Sequence, residues 1–404
     1  MKVLIITPCD LPVPAIMGGA VQTLIESLVR INEEYMGMEL TLVSSYNRDA
    51  FELVKTKYPK TKFIWIRQCK LLQLLDKQID AVKRTLTHRD KQENNKYLEK
   101  IFIIEKTKRI LRRFSFDKVI LQNSGFLLHI FSDKDLEKKY EGRIFYHLHN
   151  VVPRNINRKV LDQCQLLLIS EYLKKDTEEF LHKSIKGNFS IVKNGIPTQL
   201  FCNALSEEEK QRIRQKHNIP SGKKIIIFTG RLIPQKGVDK LLEAFQKINN
   251  DDVMLLIVGS AFFAKQINSN FEQKIFSLSL DLGKRVIFTG YVPYQEIWKY
   301  YALSDIAILP SMWEEPAGLT IIEAMAAGLP LITTKSGGIL EYIENLSAII
   351  LDRDDQIVEN LSYSIGMMLG DLIQWKNKAI LTKKIACENF SEEAFYNRFL
   401  EAIM

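Results

Sequence analysis

Residues 313–330 read W-E-E-P-A-G-L-T-I-I-E-A-M-A-A-G-L-P and place two carboxylates, Glu315 and Glu323, eight residues apart around the start of a helix. The stretch 319–327 is apolar on every side except at Thr320 and Glu323, the pattern of a buried helix. A carboxylate inside such a helix costs on the order of a few kcal/mol unless something polar binds it. Glu315 precedes the helix, where the amides near Gly318 and Leu319 are donors at the positive end of the helix dipole. That end suits a phosphate. The arrangement predicts a ligand with a diphosphate at the helix start, hydroxyls on Glu315 and a ribose on Glu323. The plainer alternative has Glu323 partly exposed and Glu315 as a helix cap.

A second group lies in G-R-L-I-P-Q-K-G, residues 230–237. Arg231 and Lys236 emerge after Gly230 from a turn that Pro234 keeps out of the helical conformation. Two cations there can neutralise a diphosphate leaving group; otherwise they are solvated surface charges. Gly18 and Gly19, after the first apolar run, let backbone amides approach the same diphosphate. They do not form a GxGxxG fingerprint, which speaks against a nicotinamide enzyme. His147 and His149 stand two apart on one strand and share a face, with His149 at the carboxyl end before Asn150. His149 there can bind or polarise a sugar hydroxyl, the alternative being a structural histidine at a strand end. Tyr291, after Gly290, is placed to line a base pocket or simply to pack. The triplets Asp133-Lys134-Asp135 and Asp352-Arg353-Asp354 have the form of a metal chelate but sit among many charges, and neither is read as a metal site. If Arg231 and Lys236 neutralise the diphosphate, no cation is needed.

These residues fall in the turns after apolar runs. The runs at 1–7, 40–44, 63–67, 118–122, 143–149 and 165–169 alternate with helical stretches, the first helix covering 21–30. A second series at 225–230, 254–259, 286–290, 306–310, 331–334 and 348–352 repeats the pattern. Strands alternating with helices imply parallel sheets covered on both faces. With 404 residues, the chain fits two domains better than one core. The expected division is a first domain over 1–190, a second over 191–385, and a C-terminal helix over 386–404 that packs back on the first domain.

Five cysteines lie far apart, without a CxxC pair or histidines at metal-ligand spacing, and are expected to be reduced thiols. No run approaches the ~20 apolar residues that span a bilayer, and the start does not have the form of a signal peptide. A cytoplasmic protein is expected. The formal charge of +8 is concentrated in the segment that begins at Lys70 and ends at Arg113, which holds thirteen Lys or Arg against six Asp or Glu. Its mixed apolar and cationic faces suit an anionic membrane surface, or an ordinary solvated helix pair. Lacking interleaved aromatics or a nucleic-acid motif, it does not indicate nucleic acid.

The set GRLIPQKG, FTGYVPYQE, SDIAILPS, the pair Glu315 and Glu323, and the GLP turn resembles glycosyltransferase family 4, retaining enzymes of the GT-B fold. In the first half, GG at Gly18 and HN at His149 are similar to the same family. The resemblance implies two Rossmann-like domains facing across a cleft, 1–190 on the acceptor side and 191–385 binding the nucleotide sugar. It implies an enzyme of the hexosyltransferase type (EC 2.4) that moves a sugar from a nucleoside diphosphate, UDP favoured, to a glycan or lipid-linked acceptor. Cell-surface polysaccharide or glycoconjugate synthesis is the expected setting. Arg231 and Lys236 would hold the diphosphate, Glu323 the ribose and Glu315 the sugar hydroxyls, with His149 near the reacting sugar, no metal and retention by a same-face mechanism. Where the family pairs histidine with aspartate, this chain has Asn150. The alternatives are a nucleotide-sugar epimerase on the same scaffold and a non-catalytic partner subunit.

Overall fold

Apolar runs bounded by glycine and polar turns become strands, and all of them pair in parallel. A computed structural model describes residues 1–87, 96–153, 156–259, 270–343 and 348–404. Part of the basic segment, 88–95, lies outside these. Strands β1 (Lys2–Ile6), β2 (Glu39–Ser45), β3 (Lys62–Ile66), β4 (Lys118–Gln122), β5 (Ile144–Leu148), β6 (Gln165–Leu168) and β7 (Phe189–Ile191) form one sheet in the order β3-β2-β1-β4-β5-β6-β7. Strands β8 (Lys224–Thr229), β9 (Val253–Val258), β10 (Val286–Gly290), β11 (Ile306–Leu309), β12 (Leu331–Thr334) and β13 (Ala348–Leu351) form the other, in the order β10-β9-β8-β11-β12-β13. Parallel neighbours need long crossovers, and helices supply them. The expected two Rossmann-like sheets are present; β7 is the strand the sequence pattern did not announce.

In both sheets the chain runs outward from its first strand and then returns to that strand's other side. The reversal falls between β1 and β4 in one sheet and between β8 and β11 in the other. Loops leaving the carboxyl ends diverge there, and in open α/β sheets that crevice is where ligands bind.

By backbone contacts the chain divides into a unit of Met1–Ile169, Leu173–Val192 and Arg398–Met404, and a second of Ser170–Tyr172 and Lys193–Asn397. Residues 386–404 are not one helix. The helix Leu372–Asn389 ends at Phe390, and a new helix, Glu392–Ile403, follows Ser391, whose hydroxyl accepts the Ala394 amide at 3.1 Å.

Within the second unit the period-2 geometry of β8 sends Ile225 and Ile227 to one face and Ile226 and Phe228 to the other. The helix Leu319–Ala326 packs on the first face through Ile321, Ile322 and Met325. The helix Val238–Gln246 packs on the second through Val238, Leu241 and Phe245. These two helices follow the loops that carry the candidate residues, so burial of their apolar sides fixes where those loops start. Among the described residues no helix is long and apolar enough to cross a membrane.

Candidate active site

The loops after β8 and β11 are tied side by side at the reversal of the second sheet. The Met312 amide donates to the Gln235 carbonyl at 2.8 Å. The 3-10 turn Pro234–Lys236 closes on Gly237 in the left-handed region, φ 67°. A Cβ at Gly237 would run into the Pro310 carbonyl, so glycine is what lets the Lys236 turn lie against the β11 loop. Lys236 Nζ thereby reaches Glu315 Oε1 at 2.5 Å, and the Ser311 hydroxyl donates to Oε2 at 2.8 Å. Both side chains are largely buried, 18% exposed for Lys236 and 12% for Glu315.

The main chain of Glu315 is held just as firmly. Its amide donates to Ser336 Oγ at 3.2 Å and its carbonyl accepts the Gly338 amide at 2.8 Å. Gly337, φ 47°, passes so close that a Cβ would strike the Glu315 carbonyl oxygen. The loop Ser336-Gly337-Gly338 after β12 is therefore a backbone clamp on Glu315. The next carboxylate back, Glu314, accepts the Gly337 amide at 2.6 Å and pairs with Arg353. Arg353 belongs to one of the two Asp-x-Asp triplets. In the other, Asp133 caps the helix Lys134–Lys139 by accepting the Leu136 amide and pairs with Arg112. Among the described residues no three His, Cys, Asp or Glu side chains are grouped to hold a metal ion.

Glu323 is 4% exposed, on the sheet-facing helix Leu319–Ala326. Its carboxylate accepts the Tyr301 hydroxyl at 2.9 Å, and Tyr301 also lies 2.5 Å from Thr229 Oγ1. Burial pushes the Glu323 carboxyl up to about 7, with Tyr301 and Tyr294 pulling the other way. This corrects the reasoning from sequence. The polar partner that a buried carboxylate demands is supplied by tyrosine hydroxyls of the protein, so the burial of Glu323 does not by itself call for a ribose. Thr229, Lys236, Ser311, Glu315 and Thr320 line one narrow cavity of about 10 Å³, room for a single water at most. Any sugar bound there has to part the Lys236–Glu315 pair.

Gly318 and Leu319 begin the helix above Glu323. No side chain caps this end, and the Ile321 and Ile322 amides both turn to the Gly318 carbonyl. The Leu319 and Thr320 amides are first-turn donors without intrahelical acceptors. Arg231 is exposed on the Lys236 loop, and no carboxylate pairs with it among the described residues. Gly230 joins the strand ends: its amide donates to the Val258 carbonyl at 3.1 Å, as that of Gly259 does to Gly290 at 3.2 Å. Tyr291, 39% exposed, follows edge strand β10, two places from β8.

The other three candidates belong to the first unit. Gly18 and Gly19 precede the helix Ala20–Tyr35, with Gly19 at its N-cap. The Gly18 amide is engaged by the Ala15 carbonyl at 2.9 Å. His149, 6% exposed, follows β5, and its Nε2 lies 3.1 Å from Gln122 Oε1 on neighbouring β4. Burial pushes its imidazole down to about 3, so it is neutral at physiological pH. With Nε2 donating to Gln122, Nδ1 carries a lone pair, and that atom has no hydrogen-bond partner among the described residues. The His147 ring lies 4.1 Å away, fully buried.

Residues 209–363 match the family model described as Glycosyl transferases group 1. The chain is a relative of glycosyltransferases. It is 25% identical over 264 residues to the lipopolysaccharide 1,2-N-acetylglucosaminetransferase of Salmonella typhimurium, a match covering 63% of this chain and 66% of that protein. It is 26% identical over 370 residues to the putative glycosyltransferase YtcC of Bacillus subtilis, covering 87% of this chain and 79% of the relative. The aligned part thus spans just under two thirds of the Salmonella enzyme. The crystal structure of Anabaena HepE in complex with UDP-glucose superposes with a TM-score of 0.72 at 17% identity, over 100% of this chain and 99% of that one. The fold is the two-sheet GT-B fold of these glycosyltransferases, and the enzyme class expected from the sequence agrees with the relatives' names.

In this relative of glycosyltransferases the structure adds residues that the sequence reading passed over. Tyr301, Ser311 and the Ser336-Gly337-Gly338 clamp touch the candidate glutamates, and Thr229 touches Tyr301. The clamp had a signal, since S-G-G one residue beyond the run 331–334 is a loop at a carboxyl strand end. Tyr301 had none, because one of several aromatics in 294–301 cannot be singled out by spacing.

Proposed function

We propose that this chain is a retaining glycosyltransferase of family 4 that moves a sugar from a nucleoside diphosphate, UDP favoured, to a glycan or lipid-linked acceptor in cell-surface polysaccharide or glycoconjugate synthesis. The observation that carries the reading is the meeting of Lys236, Glu315 and an uncapped helix start at the reversal of the second sheet, where open α/β sheets bind ligands. The names of relatives support the substrates: one acts on lipopolysaccharide, and another was crystallised with UDP-glucose.

In this reading the diphosphate lies against the Leu319 and Thr320 amides, with Arg231 and Lys236 offsetting its charge, so no metal is called for. Released from Lys236, Glu315 accepts the donor's sugar hydroxyls, while Glu323 takes the ribose and Tyr291 borders the base. The acceptor oxygen attacks the anomeric carbon from the face that the phosphate leaves. The anomeric C–O bond to phosphate breaks, the bond to the acceptor oxygen forms, and the acceptor proton passes to the departing phosphate. In the first unit, neutral His149 offers Nδ1 as an acceptor for a sugar hydroxyl. A thermal-shift screen tests the donor: UDP and UDP-sugars at 100-fold over Kd should stabilise by about 2.7 kcal/mol, and equal inertness of UDP, GDP and TDP sugars would remove the proposal.

Peripheral attachment of a cytoplasmic protein to an anionic membrane belongs to the same proposal. The helices Lys70–Thr87 and Tyr97–Arg113 expose Leu71, Leu74 and Ile101, each more than half accessible, beside the exposed cations Lys106, Arg109 and Arg113. Lys108 and Arg112 are occupied by Glu105 and Asp133. Lys106→Glu/Arg109→Glu/Arg113→Glu should therefore cut pelleting with phosphatidylglycerol vesicles at least tenfold, each charge near the surface contributing about 1 kcal/mol. Unchanged pelleting, or equal pelleting with neutral phosphatidylcholine vesicles, would discard the membrane reading.

A further inference from the structure

Two of the five cysteines meet within the second unit, although 185 positions separate them. Cys202 ends the short helix Thr198–Phe201, and Cys387 lies in the last turn of the helix Leu372–Asn389. Their sulfurs are 2.9 Å apart. That is closer than two thiols ordinarily pack, and a gap of under an ångström separates it from the roughly 2.05 Å of a disulfide. Both are half-buried, so a small oxidant can reach them, whereas Cys9 and Cys164 are buried. Their surroundings are fixed by several bonds. The Ile196 amide donates to the Phe390 carbonyl at 2.9 Å, and Lys383 Nζ donates to the Cys202 carbonyl at 3.3 Å. The Cys202 thiol lies 3.6 Å from the Ala326 carbonyl, in the last turn of the helix that carries Glu323.

We propose that Cys202 and Cys387 are a reversible disulfide site, a redox staple that joins the start of the second unit to its C-terminal helix directly behind the Glu323 helix. With hydrogen peroxide as oxidant, one sulfur attacks a peroxide oxygen and becomes a sulfenic acid, releasing water. The second sulfur then displaces the hydroxyl as a second water. Two S–H bonds are lost, one S–S bond forms, and peroxide takes up the two electrons. Burial and the neighbouring Cys202 push the Cys387 thiol up to about 12, with the Lys383 ammonium opposing. The Cys387 thiol is thus protonated at neutral pH. Oxidation is therefore expected to be slow and to quicken with pH. This inference is independent of the proposed reaction, since the staple needs only the folded second unit.

The test uses the full chain, reduced and then exposed to a few equivalents of hydrogen peroxide. A non-reducing digest should contain one cross-linked pair joining the Cys202 and Cys387 peptides. The intact mass should fall by about 2 Da, and denatured thiols should drop from five to three, all restored by dithiothreitol. Cys69→Ser should keep the cross-link, whereas Cys202→Ser and Cys387→Ser should abolish it. Because the link closes a long loop in the unfolded chain, the oxidised protein should unfold at least about 3 °C above the reduced one. Recovery of both cysteines as thiols or as separately oxidised residues, or a link to any other cysteine, overturns the disulfide. An unchanged unfolding temperature in the cross-linked protein overturns its role as a staple. The wild-type digest decides the first point even if a serine variant fails to fold.

Discussion

Replacing Glu323 with glutamine is expected to make the protein more stable at pH 8 and a worse binder of its donor. The Glu323 carboxyl sits at about 7 in the folded chain against an ordinary 4.5, chiefly because it is buried. Between those two values the folded chain holds a proton that the unfolded chain has lost. Stability contributed by this group is therefore full below pH 4.5, falls as pH rises, and is gone above about 7. At about 1.4 kcal/mol per pH unit, the loss is on the order of 3 kcal/mol. Glutamine keeps the shape and an oxygen to accept the Tyr301 hydroxyl, yet never ionises. Glu323→Gln should accordingly gain about 2 to 3 kcal/mol over wild type at pH 8 and little at pH 5, as read by urea unfolding. Matching pH dependences in the two proteins would refute the burial argument. The donor KM should rise roughly tenfold, the worth of one charge-assisted hydrogen bond.

Such a trade is what separates the legible from the illegible in this chain. Strands of a parallel sheet are buried on both faces, so 225–228 and Val253–Val258 stand out as unbroken apolar runs. Phe189–Ile191 did not, being three half-buried residues at a sheet edge. The types at the site were legible as well, because a glutamate in an otherwise apolar helix and a lysine flanked by glycine are rare enough to notice. Their connections were not. Lys236 and Glu315 are 79 positions apart, and nothing in either stretch says that the glycine beside the lysine is cut to fit the Pro310 carbonyl. Tyr301 answers the charge of Glu323 from a neighbouring helix, and the neutral state of His149 follows from packing around β5 rather than from its place in the chain. Local pattern reveals which residues are unusual, whereas tertiary contact decides whether a partner in the protein has already satisfied them.

The Lys236–Glu315 pair poses that question in its sharpest form, and a double-mutant cycle answers it. Lys236→Ala removes one of the two cations proposed for the diphosphate and leaves the Glu315 carboxylate largely buried, with Ser311 as its one remaining donor among the described residues. Breaking a buried pair from one side costs about 3 kcal/mol or more of stability, and losing a preorganised charge at a leaving group costs on the order of 10²- to 10³-fold in kcat/KM. Glu315→Ala should lower activity comparably, by removing the acceptor of the sugar hydroxyls. The double variant then separates the two roles. With neither charge left uncompensated, the Lys236→Ala/Glu315→Ala protein should recover most of the stability lost by Lys236→Ala. Its activity should stay at or below that of either single variant, because both contacts to the donor are gone. A pair that only braces the β8 and β11 loops predicts the opposite coupling, with activity returning as stability returns. Unfolding free energies and initial rates of the four proteins, measured under one condition, therefore distinguish a structural salt bridge from one that opens to admit a nucleotide sugar.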